Sequence, residues 1–110
     1  MRYPIEVGDR SDQTDGAVKE RVKPKNEEPP LYKVVLLNDD YSTMDFVVHI
    51  LETVFHKTPA EAYRIMMAVH LNGNGLAGIY PWEIADTKAE TVASLAREAG
   101  YPLRATVEEA

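Results

Sequence analysis

Cysteine is absent from the 110-residue chain, so a disulfide framework, a thiolate metal site and a cysteine nucleophile are all excluded. Positive charge is scarce. The 12 Lys and Arg stand against 18 Asp and Glu, for a net charge of -6, which argues against a phosphate backbone as the main partner and favours a cationic one. Long apolar runs are also missing. The first 30 residues hold no signal-peptide core and no later stretch is long enough to span a bilayer, so the expected compartment is the cytoplasm. No glycine-rich loop with a following lysine comes after a strand. Asn72-Gly73-Asn74-Gly75 lacks that context, which sets nucleotide binding aside. Asp39, Asp40 and Asp45 lack both the spacing and the glycine of a calcium loop.

What is present divides near Pro29-Pro30. Residues 1–30 carry 13 charged side chains of mixed sign, four prolines and few large apolar groups. Such a segment cannot bury enough surface to offset the entropy of ordering, and a disordered N-terminal tail is expected there. Residues 31–110 hold the folded domain. Composition leaves open whether the tail is a passive solubilising arm or a handle for a partner.

In the folded part, Tyr32 to Leu37 reads as a strand, rich in Val and Leu and ended by Asn38-Asp39-Asp40. Phe46, Val47, Ile50, Leu51, Val54 and Phe55 recur with helical spacing, and Ser42 or Thr43 can cap that helix with Asp45 in its first turn. Thr58-Pro59-Ala60-Glu61 is a capping box with proline at the first helical position. The helix it opens turns Ala62, Ile65, Met66 and Val69 inward and stops at Asn72-Gly73. Leu76 to Tyr80 reads as a strand. Pro81 opens a third helix with the stripe Ile84, Lys88 by its stem, Val92, Leu95 and Ala99, stopped by Gly100. Leu103, Ala105 and Val107 alternate with polar residues as a final half-buried strand. The order is β-α-α-β-α-β. The fold class expected is α+β, a small three-stranded antiparallel sheet packed against three helices on one face.

Few side chains suggest chemistry. His49, Glu52 and His56 fall within a narrow arc of the first helix, which is compatible with a metal but lies opposite the apolar stripe and reads as an ordinary solvated face. His70 differs, because it follows inward Val69 and lies one turn beyond Met66, at the rim of the core. A lone histidine there is either a hydrogen-bonded structural residue or, if the Asn38-Asp39-Asp40 turn converges on it, part of a polar site.

The segments LYKVVLLNDDYSTMDFVVHIL, MAVHLNG and ADTKAETVASLARE with the later YPL resemble the ClpS family, bacterial adaptors that select N-end-rule substrates for a Clp ATPase and its protease. The resemblance covers about residues 29 to 109. Its specific elements are Asn38-Asp39-Asp40 after a strand, Met44 four residues later, and Val69-His70 followed by Gly73. The fold it implies is shared with the C-terminal domain of the ribosomal stalk protein and agrees with the element order above.

The resemblance implies a non-enzymatic protein without cofactor or metal, binding proteins that begin with Leu, Phe, Tyr or Trp. A free α-amino terminus is an ammonium with three donors and needs acceptors at the mouth of a pocket. By the family's pattern these are Asn38, Asp40 and His70, with Asp39 adding negative potential. The apolar cup is Leu36, Leu37, Ser42, Met44, Val47, Met66, Val69 and Leu103, and Met44 is the gate that excludes β-branched first residues. Glu83 and Lys88 match the surface that docks the N-terminal domain of a ClpA-type AAA+ ATPase. Neither nucleic acid nor membrane is expected as a partner. Where the family usually has Thr-Pro, this chain has Ser42-Thr43, which removes a methyl from the pocket wall and is expected to loosen the turn carrying Met44. Two other readings are a ribosome-associated interaction module sharing the fold, and a small metal-assisted hydrolase built on Asp39, Asp40 and His70.

Overall fold

The computed structural model describes residues 29–110. The expected 1–30 tail lies almost wholly outside the described residues. Three strands and three helices follow in the order β1 (Leu31–Leu37), α1 (Met44–Thr53), α2 (Pro59–Asn72), β2 (Asn74–Pro81), α3 (Trp82–Ala99) and β3 (Arg104–Glu109). The strands form an antiparallel sheet in the order β2-β1-β3.

The most apolar strand takes the centre, where both edges of its backbone are paired. Val34 and Leu36 point into the core and are fully buried. Their neighbours Lys33, Val35 and Leu37 point to the opposite face, because successive strand residues alternate. On the β2 side Val34 pairs with Gly78 and Val35 with Leu76, so the register skips Ala77 in a one-residue bulge.

Each helix starts and stops for a local reason. Thr43 caps α1, its hydroxyl accepting from the Phe46 amide at 3.1 Å. Thr43 thus supplies a side-chain cap in the turn that carries Met44. The capping box of α2 is complete: Thr58 Oγ1 accepts from the Glu61 amide at 3.2 Å and Glu61 Oε1 from the Thr58 amide at 3.2 Å. Gly73, at φ 92°, closes the helix in the left-handed conformation that glycine adopts without strain.

Two expectations need correction. The inward stripe of α3 is Ala85, Val92 and Ala96, with Ala89 and Leu95 partly buried. Ile84 is 47% exposed and Ala99 is exposed. Small side chains let the α3 backbone lie close to the sheet, which outweighed the bulk of Ile84 one position round the helix. His56 lies beyond the end of α1 with φ 56°, so it does not share a helix face with His49 and Glu52.

The core is continuous. Val47, Ile50 and Leu51 of α1, Val54 and Phe55 just after it, Ala62, Met66 and Val69 of α2, Ala77, the α3 stripe and Leu103 pack together over Val34 and Leu36.

Candidate functional site

One backbone hydrogen bond organises the site. At the end of β1 the Asn38 amide donates to the Gly73 carbonyl at 3.0 Å. This ties the Asn38-Asp39-Asp40 turn to the last turn of α2 and brings Asn38 beside His70, residues far apart in the chain. The Asp39 carboxylate then shapes the turn: its Oδ1 accepts from the Tyr41 amide at 2.7 Å and the Ser42 amide at 2.6 Å. Such local caps are what aspartate supplies at chain reversals. They deliver Ser42, Thr43 and Met44 to the start of α1.

Between the start of α1 and the end of α2 lies a narrow cleft of ≈ 210 Å³, open mouth included, lined by Asn38, Ser42, Met44, Val47, Met66, Val69 and His70. Met44, Val47, Met66 and Val69 supply its apolar walls. Val47, Met66 and Val69 are almost fully buried, Met44 stands at the rim 46% exposed, and Asn38 and His70 are exposed at the mouth.

Partial burial pushes the Asp39 carboxyl up, but hydrogen bonds from the Ser42 and Tyr41 amides, with the Ser42 hydroxyl close by, outweigh it and hold the pKa below the ordinary value. The Ser42 hydroxyl favours the charge by proximity only. Neither Ser42 Oγ nor Asp39 Oδ2 makes a hydrogen bond of good geometry, and both atoms are buried. Next to the cleft wall there is thus a carboxylate oxygen with unused accepting capacity.

The expected site residues separate into those that line the cleft and those that do not. Ser42, Met44, Val47, Met66, Val69, Asn38 and His70 converge on it. Leu36 and Leu103 are buried in the core, at 0% and 3% exposure, and do not line the cleft. Leu37 is on the other face of the sheet, where it lines a wider open groove of ≈ 590 Å³ with Lys33, Val35, Asn74, Leu76 and Glu108. The one-residue alternation of a strand puts Leu36 and Leu37 on opposite faces. That groove is a shallow sheet surface and holds none of the polar residues gathered at the turn. Asp40 is exposed beside the cleft and does not line it. Glu83 is exposed in the first turn of α3. Lys88 is engaged internally, Nζ donating to the Val54 carbonyl at 2.7 Å and lying 5.3 Å from the centre of the Tyr80 ring.

Among the described residues no three His, Asp or Glu side chains are grouped to hold a metal ion, and no helix is long and apolar enough to cross a membrane. Asp39, Asp40 and His70 therefore lack the ligand set that a metal-assisted hydrolase requires.

Fold and cleft together define a small α+β module with a cleft that places apolar Met44, Val47, Met66 and Val69 beside polar Asn38, Ser42 and His70. Residues 27–106 match the family described as ATP-dependent Clp protease adaptor protein ClpS. An ATP-dependent Clp protease adapter protein ClpS of Nautilia profundicola is 58% identical over 81 residues, 74% of this chain and 84% of the relative. That of Rhodospirillum centenum is 46% identical over 102 residues, 93% of each chain. Among solved structures, Agrobacterium tumefaciens ClpS2 bound to L-phenylalaninamide superimposes with a TM-score of 0.73 at 41% identity, covering 76% of this chain and all of that one. The chain belongs to the ClpS family of Clp protease adaptors. It is accordingly an adaptor and not an enzyme.

Proposed function

We propose that the cleft binds the N-terminal residue of proteins beginning with Leu, Phe, Tyr or Trp, and that the adaptor hands them in the cytoplasm to a ClpA-type AAA+ unfoldase. The observation that carries this is the composition of the cleft. Met44, Val47, Met66 and Val69 form an apolar cup, and Asn38 and His70 stand at its mouth as acceptors for an ammonium. The unpaired Asp39 Oδ2 and exposed Asp40 add negative potential there. The ligand in the Agrobacterium relative, L-phenylalaninamide, pairs an apolar ring with a free α-amino group, the same two chemistries. Burying one such side chain contributes roughly 1.5–3 kcal/mol, and each charged hydrogen bond roughly as much. After association costs this suits micromolar to submicromolar affinity without any bond being made or broken. For docking to the unfoldase, exposed Glu83 is the free charge, whereas the Lys88 ammonium is already bound to Val54.

The test is a titration with peptides that differ only in the first residue, with an N-acetylated control. Acetylation removes the charge and most donors of the ligand, so affinity should fall at least about 100-fold, roughly 2.7 kcal/mol. Equal binding of the acetylated peptide would overturn the assignment of the ammonium site.

A further inference from the structure

We infer that Gly75, which has no atom in the cleft, determines which side chains the cleft accepts. Gly75 is buried in β2 opposite Leu36. Its glycine is not demanded by the backbone, because the positive-φ glycines among the described residues are Gly73 and Gly100. Space demands it. A Cβ at this position would stand 2.7 Å from Val69 Cγ2, 3.0 Å from the Ile65 carbonyl oxygen and 3.3 Å from Ile65 Cγ2. The helix α2 therefore rests on the bare backbone of β2 at the level of one cleft-lining residue, Val69.

Two routes relieve that contact, and both alter the cleft. The Val69 methyl can swing away, but a β-branched side chain in a helix has one strongly preferred χ1, and the open space beside Val69 is the cleft. Otherwise α2 shifts against the sheet and carries Met66, Val69 and His70 with it. The missing methyl of Gly75 thus sets the room left for the ligand side chain, making Gly75 a positioning residue that acts through Val69. One methyl group in or out of an apolar pocket changes discrimination by about 10-fold or more. An aromatic first residue fills more of the cup than leucine and loses most when it narrows.

This inference rests on the N-terminal-residue reading above, and the experiment separates the two. Affinities are measured for peptides beginning with Phe and with Leu on the parent, Gly75→Ala, Val69→Ala and the double variant, with thermal melts of each. Gly75→Ala should weaken the Phe peptide about 10-fold and the Leu peptide less than about 3-fold. Val69→Ala should move the Phe-to-Leu ratio the other way, and the double variant should return it close to the parent's. If Gly75→Ala melts cooperatively with an unchanged ratio, or both peptides weaken together, Gly75 is only a packing residue and the inference fails. If Gly75→Ala does not fold, the double variant decides: folding with a near-parental ratio supports the coupling, and failure to recover overturns it. A parent that binds neither peptide refutes the reading of the cleft itself, and with it any selectivity set by Gly75.

Discussion

Met44 and Asp39 show how single side chains divide the work at the cleft. Met44 is unbranched and 46% exposed at the rim; on the proposed reading it bends to fit a flat ring or a leucine and crowds a ligand branched at Cβ. Met44→Ala should therefore admit peptides beginning with Ile or Val, raising their affinity about 10-fold while retaining Phe. Peptide titrations that show unchanged discrimination would make Met44 a simple core cover. Asp39 works on the turn. Its carboxyl pKa is held below the ordinary 3.8 because hydrogen bonds to the Ser42 and Tyr41 amides outweigh the opposing effect of partial burial. A group whose folded pKa is depressed stabilises the fold fully above the unfolded value and ceases to do so as pH falls through the folded value. Asp39→Asn keeps an oxygen acceptor but cannot titrate. The melting-temperature gap between parent and Asp39→Asn should be constant from neutral pH down to about 5, then close as pH drops below the ordinary carboxylate value. A gap that stays open in acid would mean that the carboxylate charge contributes nothing to the turn.

Helices and strands declare themselves through caps, and here the local chemistry was readable. The Thr58-Glu61 box, Pro59 and the glycines after α2 and α3 stand where sequence pattern puts them, because each acts within a turn of its own position. The inward face of α3 was not legible: Ile84 and Ala85 lie on neighbouring stripes, and only the closeness of the sheet selects the small residue. Lys88 likewise had two readings, snorkelling from the core edge or docking a partner, and only the fold reveals a long-range partner for its ammonium. It donates to the carbonyl of Val54, the residue that ends α1, and lies over the rings of Phe55 and Tyr80. A cation at a helix C-terminus is favourable, and a charged hydrogen bond of this kind contributes about 1.5 kcal/mol or more. Lys88→Met should lower unfolding stability by about that amount in denaturant titration. Glu83→Gln, an exposed change in the same helix, should leave stability within about 0.5 kcal/mol. A Lys88→Met variant as stable as the parent would show that the bond to Val54 adds nothing net and release Lys88 for a role at the surface. Loss of unfoldase docking in Glu83→Gln, by contrast, has no stability defect to hide behind.

At the scale of the whole molecule, pattern alone could not distinguish pocket from core. Val47, Met66 and Val69 line the cleft at 6%, 3% and 3% exposure, and Leu103, which does not line it, is also at 3%. A periodicity sees only that such residues face inward. What separates them is the hydrogen bond from Asn38 to Gly73, a contact across 35 residues that seats the turn against α2 and leaves a gap behind it. Family resemblance supplied Met44 and the acceptor role of His70, whose place at the rim the pattern had already marked, and carried Leu37 along although strand alternation turns it to the opposite face. The same separation of parts bears on delivery. Each described residue that lines the cleft lies between Asn38 and His70, outside residues 1–24. Deleting them should leave affinity for a Phe-initiated peptide within about 2-fold of the parent. If the tail is what an unfoldase grips, degradation of a Phe-initiated substrate by the unfoldase and its protease should nevertheless slow by at least about 10-fold, because a bound substrate then has no handle for transfer. Peptide affinity read by fluorescence anisotropy and degradation read as loss of the substrate band report the two steps separately. Lost affinity in the truncated protein would place the tail against the domain, and undiminished degradation would make it a passive arm.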